Sequence, residues 1–175
     1  MKKQLLFLGF IFCVTLSFSQ IGMYGVRAGI NVSNMDFEPD ATFSNQHRNG
    51  FAIGFFGEYL LGDAIALAPE IQFSAEGAKS RDLRIDYIQA PILFKFFLAD
   101  RFAISAGPMV GLKVHEYEDG FKNMAFSAAG GLEFKVTEMF FIDARYHYGI
   151  LNVLDDDLPM EAKNASFQFG VGIKI

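Results

Sequence analysis

The sequence predicts an all-β protein, an eight-stranded antiparallel up-and-down transmembrane β-barrel. Three observations predict it. Apolar side chains recur at every second position in eight segments of roughly ten residues, the length a tilted strand needs to cross a bilayer. The connections between segments alternate between short and long. The apolar face is also too bulky to fit inside so small a barrel, so it must face outward.

In the first segment Tyr24, Val26, Ala28, Ile30 and Val32 alternate with Gly25, Arg27, Gly29, Asn31 and Ser33. One face is greasy and the other small or polar. The second sets Phe51, Ile53, Phe55, Tyr59 and Leu61 against Ala52, Gly54 and Glu58. The third sets Ile65, Leu67, Pro69, Ile71 and Phe73 against Ala66, Ala68, Glu70, Gln72 and Ser74. In the fourth, Ile88, Ala90, Ile92, Phe94 and Phe96 oppose Gln89, Leu93 and Lys95. In the fifth, Phe102, Ile104, Ala106, Val110 and Leu112 oppose Ser105, Gly107, Gly111 and Lys113. Phe126, Ala128, Leu132 and Phe134 then oppose Ser127, Glu133 and Lys135. Phe140, Ile142, Ala144, Tyr146 and Tyr148 oppose Asp143, Arg145 and His147. The last segment sets Phe167, Phe169, Val171, Ile173 and Ile175 against Gln168, Gly170, Gly172 and Lys174.

Gly62-Asp63-Ala64, Ala99-Asp100-Arg101 and Thr137-Glu138-Met139 have hairpin length. Asn34 to Asn49, Lys79 to Arg84, His115 to Met124 and Asn152 to Asn164 are mostly longer and polar. A closed sheet with an even strand number gathers the termini and short turns at one rim and the long loops at the other. Pro69, Pro91 and Pro108 fall inside segments, where a residue without an N–H interrupts a ladder; bulges or rim positions would accommodate them.

Period two alone does not say which face looks inward. Volume does. An eight-strand interior is just wide enough to be filled by side chains or to hold one small ligand. The face rich in Gly, Ala and Ser fits there, and only lipid tolerates the other on the outside. Tyr24, Tyr59, Phe96, Phe102, Phe134, Phe140, Tyr148 and Phe167 lie near strand ends, as interfacial girdles require. The interior then holds Arg27, Glu58, Glu70, Glu76, Lys95, Lys113, Glu133, Lys135, Asp143, Arg145 and Lys174. Signs nearly balance, which predicts a plug of ion pairs in a narrow lumen rather than an open, selective pore.

Composition bounds the rest. A chain of 175 residues suits one domain. With 21 Phe and 51% hydrophobic side chains it cannot remain disordered, and its net charge of −5 lacks the basic footprint of a nucleic-acid binder. Met1-Lys2-Lys3, the apolar stretch Leu5 to Leu16 and Ser17-Phe18-Ser19 have the pattern of a signal peptide over residues 1–19, which leaves 20–175 as the barrel domain. Cys13 lies within that leader. Phe10-Ile11-Phe12 before it do not suit lipidation, so the mature chain is expected to carry neither lipid nor disulfide. Without Lys2 and Lys3, the 15 basic residues fall to 13 against 20 acidic ones, about −7.

Catalytic and metal signals are thin, and neither catalysis, a cofactor nor a metal is expected. Ser127, His147 and Asp143 could suggest a hydrolytic triad. But Asp143 and His147 are four apart on one strand, roughly 13 Å along it, too far for contact. His47 and His115 fall in loops. Asp155-Asp156-Asp157 lacks the spaced acceptors and glycine of a calcium loop. Gly170-x-Gly172 is no nucleotide fingerprint, since no helix follows it.

Gly25-Val26-Arg27-Ala28-Gly29-Ile30-Asn31-Val32-Ser33 resembles the opening strand of the PorT-type outer-membrane β-barrel proteins of Bacteroidetes. Leu67-Ala68-Pro69-Glu70-Ile71-Gln72-Phe73-Ser74, Tyr87-Ile88-Gln89-Ala90-Pro91-Ile92-Leu93, Ala106-Gly107-Pro108 and Asp143-Ala144-Arg145-Tyr146 resemble later parts of that family. The resemblance covers nearly all of the mature chain. It implies an eight-stranded barrel similar in architecture to OmpX and the membrane domain of OmpA, with Glu70, Glu133 and Arg145 at recurrent interior polar positions. It carries over no catalytic residues, and the secretion role behind the family's name is not inherited with it. Gln168, Gly170, Ile173 and Ile175 in the final strand resemble the signal read by the barrel-assembly machinery, departing from it in ending on Ile175 where an aromatic is usual.

These features imply outer-membrane lipid as the surroundings and the assembly machinery as a partner in biogenesis. The expected role is non-enzymatic, with surface loops serving adhesion, envelope stability or contact with a surface or envelope protein. A lipid-modifying enzyme and a subunit of a secretion or surface-assembly complex are the alternatives; a soluble ligand-binding barrel ranks last.

Overall fold

The structure, a computed structural model, describes residues 22–40, 42–43, 45–114, 120–155 and 160–175. The signal peptide expected over residues 1–19 lies outside them, as do His115, Asp156 and Asp157. Eight strands follow one another: β1 (Gly22–Glu38), β2 (Arg48–Leu60), β3 (Ile65–Gly77), β4 (Arg84–Ala99), β5 (Phe102–Lys113), β6 (Met124–Lys135), β7 (Phe140–Gly149) and β8 (Glu161–Lys174). Each pairs antiparallel with its neighbours in sequence, and β1 pairs with β8 to close the barrel. Val26 is shared by both seams of β1, opposite Phe55 on one side and Ile173 on the other.

The apolar face points outward. Phe55 is 67% exposed and Val171 61%, whereas Glu58 and Gln168 are wholly buried. That inversion suits a lipid surround and no other. Aromatic pairs mark the two edges of the outer belt. Tyr24 meets Tyr59 and Phe102 meets Phe134 at the short-turn end. Phe51 meets Phe73, and Tyr146 packs on Phe167 at 4.5 Å, at the other.

The strands run further toward the long-loop rim than the sequence predicts. β1 continues through Glu38, β4 begins at Arg84 and β8 at Glu161, within stretches expected to be loop or left unassigned. The reason is a second inversion. Alternation persists there with its chemistry exchanged: Met35, Phe37, Ile85, Tyr87 and Ala162 point inward and are buried, while Asp36, Glu38 and Glu161 are exposed. Above the lipid the barrel meets water, so its apolar side turns to the inside.

The three strand prolines occupy neither a rim nor a bulge, contrary to the expectation. The β2–β3 ladder skips two pairs beside Pro69, between Phe56↔Glu70 and Tyr59↔Leu67. The β3–β4 ladder skips two beside Pro91, and the β4–β5 ladder two beside Pro108. On its other flank each proline stays in register, opposite Ile92, Met109 and Ala128 respectively. A strand residue's N–H serves only one neighbour, so its loss opens one ladder and leaves the other intact. The interruptions run diagonally across three adjacent strands. Next to Pro108, a Cβ on Gly107 would lie 1.9 Å from the Ile92 carbonyl oxygen, so only glycine permits the close approach there.

Candidate functional site

Inward-facing positions of eight strands converge on one narrow lumen, and four tiers of side chains fill it. The tier nearest the short turns draws one residue from each even-numbered strand: Glu58, Lys95, Glu133 and Lys174. They form a closed square. Lys95 Nζ donates to Glu58 at 2.6 Å and to Glu133 at 2.5 Å. Lys174 Nζ donates to the same two carboxylates at 2.9 and 2.6 Å. Each ammonium thus faces two carboxylates and each carboxylate two ammoniums, which offsets desolvation better than an isolated pair. Two aromatic rings, Phe56 and Phe141, meet edge to face at 5.5 Å beside the square. Lys95 Nζ lies 5.6 and 5.7 Å from their centroids, within cation–π range. Their bulk is accommodated by Gly25 and Gly172, where any Cβ would strike these rings. Below the square the lumen opens in a mouth of about 600 Å³ lined by Met23, Asp63, Phe97 and Arg101 among others.

The second tier is built on two arginine forks. Arg27 donates from Nε and Nη2 to the two oxygens of Asp143, both at 2.6 Å. Its Nη1 donates to Gln168 at 2.9 Å. Arg145 grips Glu70 with contacts of 2.6 and 3.0 Å, and its Nη2 lies 3.3 Å from Asp143. Planar bidentate geometry of this kind is what a guanidinium offers and an ammonium does not.

The third tier is mostly uncharged. Gln72 donates to Gln89 and Gln89 to Glu76, each at 2.9 Å. Ser74 donates to Glu76 at 2.6 Å, Asn31 donates to Ser74 at 2.8 Å, and Asn164 also donates to Glu76. Across the two ionic tiers and this one, Arg27, Lys95, Arg145 and Lys174 stand against Glu58, Glu70, Glu76, Glu133 and Asp143. The surplus carboxylate is Glu76, which accepts hydrogen bonds from Ser74, Gln89 and Asn164 and has His147 Nδ1 4.0 Å away.

The fourth tier is the apolar plug: Met35, Phe37, Ile85, Tyr87, Phe121, Val153 and Leu154, with Leu83 and Met160 against it. Phe121 and Leu154 bridge the β5–β6 and β7–β8 connections, so loop residues cap the barrel from above.

The seven interior residues singled out in the sequence, Arg27, Glu58, Glu70, Lys95, Glu133, Asp143 and Arg145, all lie in the first two tiers, and each makes a buried ion pair. Lys113 and Lys135 sit at opposite rims instead, bonding to Phe121 O at 2.7 Å and to Glu138 at 3.1 Å. Sequence reasoning missed Phe56 and Phe141. Both have inward parity, so the period-two pattern could have found them had apolar residues been allowed inside. In the final strand, Gln168 is wholly buried on Arg27 and Gly170 lies under the Arg27–Asp143 pair. Ile173 faces outward opposite Val26, and Ile175, 83% exposed, closes the seam by donating its N–H to Tyr24 O at 2.7 Å.

The Ser127, His147, Asp143 set does not assemble, because Asp143 is committed to Arg27. The nearest acid to His147 is Glu76, 4.0 Å from Nδ1, and Ser166 stands directly opposite on β8. All three are at most 3% exposed, in the third tier beneath the plug. His47 is exposed at the rim. Among the described residues, no group of three or more His, Cys, Asp or Glu is arranged to hold a metal.

Comparison with known proteins bears on the whole chain. No curated protein matches it. Among solved structures, Neisserial surface protein A is similar over 87% of this chain and 97% of its own, with 16% identity and a TM-score of 0.59. Ail, the attachment invasion locus protein of Yersinia pestis, is similar over 88% of this chain and 99% of its own, with 15% identity and a TM-score of 0.56. At these identities the likeness is one of fold. Residues 5–174 match the family described as outer membrane protein beta-barrel domain, and the chain belongs to that family.

Proposed function

We propose that the protein is a non-enzymatic outer-membrane barrel that acts through its rim, as a rigid scaffold for adhesion, envelope stability or contact with a surface or envelope partner. One observation carries this reading: the lumen is filled tier upon tier, from the Glu58–Lys95–Glu133–Lys174 square to the apolar plug. A sealed interior leaves no path for solute, and the buried His147 offers no reachable chemistry. The exposed rim is what remains to make contact. Ail has also been crystallised with the heparin analogue sucrose octasulfate, an instance of this fold meeting a ligand. The resemblance of the strand motifs to PorT-type barrels supports membership of that group, and the final-strand pattern supports recognition by the barrel-assembly machinery after export by the leader.

Planar-bilayer recording tests the sealed scaffold. The purified barrel is expected to insert without stable large ion currents, and such currents would overturn the reading. Replacing His147 with Ala is expected to leave outer-membrane lipid composition unchanged; an altered composition would favour a lipid-modifying enzyme.

A further inference from the structure

Polar and apolar residues share one level of the outer surface. Paired residues climb as they circle the barrel: the line that leaves β5 at Phe102 passes Val171, Ala28 and Phe73 and returns to β5 at Leu112, ten residues on. Each of the eight steps in that turn therefore gains a little over one residue of height. Allowing for the climb, Asn34 on β1, Asn49 on β2 and Asp86 on β4 stand level, to within about one residue, with Leu112 on β5, Met124 on β6 and Ile150 just past β7. The change is abrupt. Val114, just past β5, donates its N–H to Asp86 O at 3.0 Å, so an exposed valine abuts the Arg48–Asp86 ion pair.

Leu112, Val114, Met124, Ile150 and Leu151 are between 47% and 57% exposed. They continue the apolar belt. Leu112 follows Val110, Met124 precedes Phe126 and Ile150 follows Tyr148, each two positions along on the same face. Over β2 the belt ends at Phe51, and over β6, on the opposite side of the barrel, at Met124, about three residues higher. Three residues amount to about 7 Å along the barrel axis at the usual strand tilt. A flat bilayer around an upright barrel cannot meet both edges. It would leave Met124, Ile150 and Leu151 in water or draw Asn34, Asn49 and Asp86 into hydrocarbon. Tilting relieves such a mismatch at modest cost.

We propose that hydrocarbon of the leaflet at the long-loop end covers the crest of Leu112, Val114, Met124, Ile150 and Leu151, so that the barrel stands tilted with its β5–β7 side deeper in the bilayer. The rim over β1 and β2, with Asp36 and Glu38, is thereby lifted toward the solvent. Lipid is the occupant because the crest is continuous with the lipid-facing belt, and among the described residues no outward charge separates the two. The inference goes beyond the scaffold reading and holds whether or not the lumen conducts.

The test introduces Asn49→Cys or Met124→Cys into the full mature barrel, attaches a nitroxide and places the protein in phosphatidylcholine vesicles. Depth is read from collision with oxygen against collision with a water-soluble nickel chelate. The label at Met124 is expected to lie about 5 Å deeper than that at Asn49, although an upright barrel would make it slightly the shallower. Equal depths, or a shallower Met124, would overturn the proposal. So would a Met124 label shielded from both oxygen and chelate, which would mark a protein partner or a second copy on the crest. Adding Val114→Ser, Ile150→Ser and Leu151→Ser is expected to abolish the difference; a difference that survives would assign the tilt to another cause and defeat the proposal. Heat-modifiable migration checks that each variant is folded, and the two single labels decide the tilt without the triple variant.

Discussion

Arg27 on β1 and Asp143 on β7, 116 positions apart in sequence, meet inside the barrel in a two-pronged pair with both contacts at 2.6 Å. Neither has appreciable access to water, and Gly170 of β8 lies so close that a Cβ there would sit 2.7 Å from both partners. Asp143→Asn leaves a guanidinium buried without its counter-charge, and is expected to cost about 3–5 kcal/mol in urea unfolding from detergent micelles. The double variant Arg27→Met, Asp143→Leu is expected to regain most of that loss, since apolar groups of similar size need no compensation. A double variant as unstable as the single one would show that the pair's geometry, not its charge balance, holds this tier.

The square of Glu58, Lys95, Glu133 and Lys174 is expected to behave as a unit. Glu58→Gln and Lys174→Met each leave the remaining charges unbalanced, whereas together they leave Lys95 and Glu133 as a pair. A double-mutant cycle by chemical unfolding is expected to show coupling on the order of 1–3 kcal/mol. Additive losses would mean that the two edges of the square act separately.

Gly25 and Gly172 both make room for a lumenal ring, but with different neighbours. A Cβ on Gly172 would lie 2.2 Å from the Phe141 ring, and one on Gly25 2.1 Å from the Ile173 carbonyl oxygen. Each glycine-to-alanine change is expected to destabilise by about 1–3 kcal/mol or more through overpacking. Phe141→Leu is expected to recover much of the Gly172→Ala loss. Phe56→Leu should leave Gly25→Ala unrescued, because the obstacle there is backbone. Refolding yields on a heat-modifiability gel separate the two cases.

The two inversions along the barrel predict opposite tolerances. Ile53→Arg, within the outer belt, is expected to cost about 2–4 kcal/mol of insertion stability, and Asp36→Arg at the rim about 0–1 kcal/mol. Phe37→Ala, one position further on but inside the plug, is expected to cost about 3–5 kcal/mol. Folding titrations into lipid vesicles measure all three. A cheap Ile53→Arg would contradict the lipid-facing assignment.

The sequence by itself determined the strand number, the alternation, the short and long rims and the outward direction of the oil. All of these follow from a local period of two joined to a volume limit, and neither needs to know which strands are neighbours. It also named the charged residues of the lumen, because a charge on the face opposite lipid has nowhere else to go. It did not reveal which charge meets which. Arg27 finds Asp143, Arg145 finds Glu70, and the four even strands close a square only because barrel closure and stagger bring distant positions to one level. The exchange of faces beyond Ser33 was likewise invisible to a rule that assigned apolar residues to lipid throughout. Where water replaces lipid the same parity serves the opposite burial, and only the height of each residue along the barrel axis decides between them.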